Sequence, residues 1–265
     1  MAGNSHHHAS SPLSMPDVAK AIQQPTRGQD IQIRPVEGNE FGACQRLAGE
    51  VFAFTDLEVI PAWQMYTTAH HGGLTLGAYA NNDLIGYSHA FPAYDGRDVY
   101  LYSCGLAVKP ASRFRGVGRS LKLAQRTLAR RAGYRLIRWT VDALASGPLY
   151  LYLTRLGGRV VGYEPRLYSE FRSEQAVDEV VVDWNLDDDI DDANLDRQAT
   201  VRSYRAYMRS VEIPWDRRIL AASEARQWER QVAERIPALL ADGFQGMAVE
   251  RDGAARRSYV WFGRP

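Results

Sequence analysis

The sequence predicts an α/β fold built on a mixed sheet, with a small α+β extension after it. Three observations carry that reading. A β-branched and aromatic run over residues 99–108 meets Lys109-Pro110, then a glycine-rich turn at 113–118 and a helical pattern over 119–132. A second apolar run at 136–141 completes a strand–turn–helix–strand unit. Apolar runs at 74–80 and 84–91 flank Asn81-Asn82-Asp83, which reads as a hairpin. Beyond an acidic stretch, residues 187–196, a strand, a long helix and two strands follow.

Taken in order, residues 1–29 hold His6-His7-His8 among Gly, Ser, Pro and Ala. They read as an expression-tag remnant and leader, outside the fold, and no metal site is expected there. Residues 31–36 alternate and form a first strand. Asn39 is placed to cap a helix that buries Phe41, Cys44, Leu47, Ala48 and Val51. Pro61 suits the first turn of a short helix reaching about His70. In the helix of 119–132, Leu121, Ala124 and Leu128 share one face, with Arg119, Lys122, Arg126 and Arg130 off it. Gly147-Pro148 opens another helix, Pro148 at its first position, which ends near Leu156-Gly157. Residues 160–163 and 179–184 supply the last strands of a domain spanning 30–185. Residues 186–199 form an acidic linker. In the C-terminal subdomain, 200–265, a strand at 207–213 precedes a helix from Ala222 with Ala225, Trp228, Val232, Ile236 and Leu239 in a stripe. Pro237 should kink or split that helix, and strands at 246–250 and 258–262 end the chain. A piece of about 70 residues is marginal alone. It should pack on the first domain or on a partner subunit, which leaves a homodimer open.

Composition narrows the function classes. A hydrophobic content of 45% with 24% charged residues is ordinary for a globular chain. A net charge of +1 gives no reason to expect nucleic acid or an anionic membrane as partner. The sequence has no apolar run of bilayer length and no secretory signal, so a cytoplasmic location is the expectation. Two cysteines, Cys44 and Cys104, are too few for a disulfide framework or a metal cluster.

The turn before the helix carries the chemistry. The first N–H groups of a helix have no acceptor within it, and the helix dipole adds partial positive charge there. Gly116 and Gly118 let a phosphate approach without a Cβ in the way. No Asp or Glu lies between Asp98 and Asp142, whereas Lys109, Arg113, Arg115, Arg119, Lys122, Arg126, Arg130, Arg131, Arg135 and Arg138 do. A diphosphate ligand fits this stretch.

Arg113-x-x-Gly116-x-Gly118, preceded by Leu106-Ala107-Val108-Lys109-Pro110, resembles the acyl-CoA-binding motif of GNAT N-acyltransferases. Further likeness lies in Asp56-Leu57-Glu58-Val59-Ile60-Pro61, in residues 119–125 (RSLKLAQ), in Trp139-Thr140-Val141-Asp142 and in Leu156-Gly157. These resemble a bacterial subgroup linked to N-acylation, including N-succinylation, of amino acids. The resemblance covers residues 30–185 and, more weakly, the C-terminal part. It implies a GNAT fold and transfer of an acetyl, succinyl or other acyl group from acyl-CoA to a small amino-acid-like amine, acetyl-CoA being the default cosubstrate. It implies that Leu106, Ala107 and Val108 offer backbone to the pantetheine arm and thioester. Arg113, Phe114, Arg115, Gly116, Val117, Gly118 and Arg119 would hold the diphosphate.

Acyl transfer needs a neutral amine, a placed thioester carbonyl and a proton for the departing thiolate. Asp142, at a strand end, and Glu58, ahead of Pro61, are the candidate carboxylates; a turn cap and an exposed acid are the plainer readings. Relatives commonly use a tyrosine four residues before the glycine of the Leu-Gly turn, where this chain has Leu153. Tyr152 is the substitute candidate for the acid. Pro148 stands where the subgroup usually has asparagine, and the subgroup's histidines near Tyr102 and Cys104 are missing. Tyr102 and Cys104, alternating with Tyr100 to one face, and His89 are the candidates for lining the acceptor pocket. His70 and His71 are further possible bases. The alternative functions are a non-catalytic acyl-CoA-binding or scaffold module, and an acyltransferase acting on a carrier protein or a protein lysine.

Overall fold

The computed structural model describes residues 31–113, 116–170, 176–188 and 197–264. The expected leader, Phe114, Arg115 and most of the acidic linker lie outside these. The chain forms two compact units. Of the described residues, one unit holds 31–89 together with those in 106–133; the other holds 90–105 and those from Tyr134 onward.

In the first unit, β1 (Ile31–Pro35) is followed by helices α1 (Glu40–Phe52) and α2 (Ala62–His70), then β2 (Leu74–Ala80) and β3 (Asp83–Tyr94). β4 (Val99–Val108) and helix α3 (Val117–Arg131) come next, and β3 and β4 each run on into the second unit. The strand order is β1-β2-β3-β4, with β1 antiparallel to β2. Asn81 and Asn82 both take left-handed backbone (φ 51° and 68°), the conformation a two-residue hairpin turn needs. One sheet face packs Ile33, Leu76, Ala78 and Ile85 against Val117, Leu121, Ala124 and Leu128 of α3. The other packs Tyr87 and Ala107 against Phe41, Cys44, Leu47 and Met65 of α1 and α2.

Several expectations are corrected here. Asn39 makes no side-chain cap; Glu40, the first helical residue, instead accepts the Glu37 N–H of the preceding turn at 2.9 Å. Val51 is only partly buried. Pro61 is the residue before α2, not in its first turn. Lys122 is 1% exposed rather than off the apolar face, its ammonium donating to Gln125 Oε1 at 2.7 Å.

Glu40 also ties the start of this unit together. It receives a two-pronged pair from Arg34 (2.8 and 2.6 Å) and the Tyr79 hydroxyl at 2.9 Å, with the guanidinium lying 3.9 Å from the Tyr79 ring centre. These donors hold the Glu40 carboxyl down at about 2, the Arg34 bond contributing most.

The second unit contains β5 (Leu136–Asp142), the short helix α4 (Ser146–Leu149), β6 (Arg159–Glu164), β7 (Glu179–Asn185), α5 (Arg197–Tyr204), β8 (Arg209–Pro214), α6 (Ala222–Ala241), β9 (Gln245–Asp252) and β10 (Arg257–Gly263). Its strand order is β3-β4-β5-β7-β6-β9-β10-β8. β4 and β5 are parallel, while β5–β7, β7–β6, β6–β9, β9–β10 and β10–β8 are antiparallel, so the sheet is mixed, as expected. The helix expected from Pro148 to Leu156 is instead α4, with Pro148 at its third position, continued by a π-helix over Tyr150–Arg155. Gly158 closes that turn: a Cβ there would sit 2.8 Å from Val182 and 3.1 Å from the Tyr152 carbonyl. Helix α6 passes Pro237 without splitting, and α5 was not anticipated.

The C-terminal residues extend the sheet through Val160↔Gly246. They are pinned to the π-helix by two buried hydroxyl contacts. Thr154 Oγ1 donates to the Val249 carbonyl at 3.1 Å and accepts its N–H at 2.8 Å, and Ser146 and Ser258 hydroxyls meet at 2.7 Å.

Candidate active site

In the first unit, Pro110 stops β4 as the sequence suggests. The strand ends at Val108, the Lys109 N–H reaches the Ile85 carbonyl at 2.8 Å, and a short 3-10 turn covers Pro110–Ser112. Gly116 then takes left-handed backbone, φ 86°, and its carbonyl accepts the first helical bond from Ser120 at 2.9 Å. Among the described residues beyond its chain neighbours, a Cβ on Gly116 would meet nothing within 4 Å, which leaves space beside the start of α3. The N–H groups of the first turn, those of Val117 and Gly118 among them, have no acceptor within the helix. Val117 is buried and anchors the turn, while Gly118 and Arg119 are half-buried. Arg113 folds back, its Nε donating to the Val108 carbonyl at 3.3 Å.

The basic run is not one cluster. Arg138 pairs with Asp183 (2.6 and 2.8 Å) and Arg135 with Asp187 (2.7 Å), both in the second unit. Lys122 is in the core. Lys109, Arg113 and Arg119 are the described cations of this stretch that lie next to the turn in sequence.

The expected catalytic and acceptor residues fall in both units. In the first, Glu58 Oε2 accepts the Thr55 N–H and hydroxyl, each at 2.8 Å, and so caps its own turn. His89 is 1% exposed and joined through Nδ1 to the Thr75 hydroxyl at 2.8 Å; burial pulls it down to about 4. It is a core histidine rather than a pocket wall. In the second unit, Tyr100, Tyr102 and Cys104 alternate to the partly open face of β4 while Leu101 and Ser103 are buried. The Tyr102 hydroxyl lies 3.2 Å from Thr140 Oγ1 and its ring 5.4 Å from Phe91. Parallel pairing between β4 and β5 is recorded at Leu101↔Ile137 and Tyr102↔Arg138. Tyr152 lies in the π-helix, its ring 5.0 Å from Trp139, and burial raises its hydroxyl. Leu153 is fully buried.

Asp142 is placed at the end of β5. Its Oδ1 accepts the Leu144 N–H at 2.9 Å, the turn cap that the plainer reading suggested, and also Arg217 Nη1 at 3.1 Å. Burial raises this carboxyl above its ordinary value, against the opposing pull of Arg217. Sequence reasoning missed Arg217, which is 75 positions away and carries no motif. A cleft of about 520 Å³ opens elsewhere in this unit, lined by Arg135, Arg159, Asp183, Asn185, Asp187 and Gln245, and contains none of the expected site residues.

Comparison with known proteins bears on the family and the fold. Residues 43–163 match the model of the acetyltransferase (GNAT) family. The chain is similar to yncA, a putative acetyltransferase from Salmonella typhimurium solved with its cofactor acetyl-CoA. The identity is 18%, over 61% of this chain and 97% of that one, with a TM-score of 0.52. It is also similar to the ribosomal-protein-S18-alanine N-acetyltransferase of Escherichia coli, at 15% identity, with 61% and 97% covered and a TM-score of 0.50. No curated protein matches the sequence.

Proposed function

We propose, from the premise that this chain belongs to the acetyltransferase (GNAT) family and uses acyl-CoA, that it acylates the amine of a small, amino-acid-like acceptor by direct transfer. The observation that carries the acyl-CoA half is Gly116: left-handed, open on its Cβ side, and set at the start of α3 in a stretch without acids. Amides there receive the diphosphate, with Arg113 and Arg119 alongside. Leu106, Ala107 and Val108 give backbone to the pantetheine arm.

For the acceptor, Asp142 is the carboxylate that takes the ammonium proton. Its burial supports this role, because a carboxyl raised toward neutrality is a better base. Glu58 is a weaker candidate, since its Oε2 caps its own turn. Tyr102 and Cys104 present a half-open face for the acceptor's body. Tyr152 is the candidate donor to the thiolate, and a donor must keep its proton, which burial favours.

One observation favours a second reading, a non-catalytic acyl-CoA-binding module: Leu153, buried in the core, stands where relatives place a tyrosine. Free-thiol release from acetyl-, succinyl- and longer acyl-CoA across a panel of amino acids and amines decides between them. Acceptor-dependent release supports the enzyme. Tight coenzyme binding with no release across the panel overturns it.

A further inference from the structure

Resting on the reading of Asp142 as the acceptor's base, we infer that Arg217 is a positioning residue that keeps the Asp142 carboxylate ionised and aimed, so that the C-terminal residues are part of the catalytic apparatus.

The geometry is specific. Arg217 lies in a single turn of 3-10 helix, Arg217–Ile219, outside the stretch matched by the family model. Its Nη1 donates to Asp142 Oδ1 at 3.1 Å and its Nη2 to Glu229 Oε1 at 2.6 Å. All three side chains are about three-quarters buried, at 23%, 24% and 31% exposed for Arg217, Asp142 and Glu229. The guanidinium is therefore held at both ends, and it fixes the side of Asp142 that also takes the Leu144 N–H. That leaves Oδ2 as the oxygen to meet an amine.

The charges facing Asp142 make Arg217 consequential. On the ladder, Glu179 of β7 is directly opposite Asp142, and Glu164 of β6 is opposite Glu179. Glu229 of α6 adds a further negative charge. Tyr163 of β6 donates to Asp178 Oδ2 at 2.5 Å and stays protonated. Like charges placed opposite one another on a sheet repel. Arg217 is the cation bonded to Asp142 among these groups. Without it, burial and the surrounding acids would drive the carboxyl to take up a proton, and a protonated acid cannot take another from an ammonium.

The test is the pH profile of kcat/KM for acyl transfer, measured on the full chain with the best amine of the panel. Removing an opposite charge at this distance typically raises a carboxyl by about 1–3 pH units. Arg217→Gln should therefore move the acid limb up by about one unit or more, and Arg217→Lys should restore most of it. Glu229→Gln should move the limb the other way, since it removes a repelling charge and leaves Arg217 to Asp142 alone. That opposite sign is something a general loss of structure does not produce, and it decides the matter if Arg217→Gln fails to fold. An acid limb that stays at its wild-type position in Glu229→Gln and in folded Arg217→Gln overturns the inference. Asp142→Asn separates the two ideas. Full activity in that variant refutes the base itself and takes Arg217 with it. A slow Asp142→Asn beside unshifted Arg217 and Glu229 variants refutes the inference alone.

Discussion

Replacing Gly116 by valine perturbs the proposed acyl-CoA site at one point. At φ 86° a residue with a Cβ is strained by about 1–2 kcal/mol, and a β-branched one by more. A Cβ at this position has no described atom beyond its chain neighbours within 4 Å, so the strain is local and the added methyls extend into the space beside the start of α3. Loss of one amide bond to a charged phosphate adds about 1.5–3 kcal/mol. Where the free protein relaxes that strain and must restore it to bind, the two together weaken coenzyme binding by about 2.5–5 kcal/mol, which is a factor of about 70 to 5,000 in Kd. Calorimetric titration with CoA reads this directly. Gly116→Asn should lose less, because asparagine tolerates left-handed backbone. S-acetyl-pantetheine, which has no diphosphate, should be used equally poorly by the wild type and both variants. A Gly116→Val protein of normal stability that binds CoA within twofold of wild type would refute the reasoning, as would an equal loss with the truncated thioester.

Further outcomes follow from the same structure. Glu40→Gln removes a carboxylate held at about 2, some two units below its ordinary range; discounted for partial exposure, the cost is about 2 kcal/mol. That stability is present above about pH 4.5 and is lost as pH falls towards 2, so the gap between wild type and variant in urea unfolding should close over that window. His89, lowered to about 4 by burial, stays neutral while its unfolded counterpart takes up a proton, so the fold weakens between pH 6.5 and 4. His89→Gln should flatten that slope in the same unfolding experiment. Thr154→Val strands the Val249 N–H and carbonyl together, at about 2–4 kcal/mol, and should speed hydrogen exchange across β9 before other strands.

Much of the fold was legible because the signals were local. Pro110 ends β4, Asn81-Asn82 turns the hairpin, and the 3.6-residue spacing of Leu121, Ala124 and Leu128 packs α3. The glycine turn was equally readable, since its conformation is set by residues in one short segment. What escaped depended on distant partners. Lys122 looked like a solvated cation until Gln125 and the core enclosed it. The π-helix over Tyr150–Arg155 has no composition of its own; it sits where β9 meets the Thr154 hydroxyl, nearly a hundred positions downstream. Arg138 seemed part of an anion site but was already committed to Asp183. Helix α6 survives Pro237 because losing one backbone bond costs less than giving up the burial of Val232 and Ile236.

The placement of β10 between β9 and β8 imposes an order on synthesis. β8 is made before its one neighbour among the described strands, β10, which follows α6 and β9. At about 5–20 residues per second, the roughly forty residues between them keep β8 waiting for seconds with both flanks unsatisfied. A nascent chain stalled in that interval offers an open strand to any other polypeptide. Yield in cells should therefore respond to holdase chaperones and to codon speed between β8 and β10 more than to the stability of the finished protein.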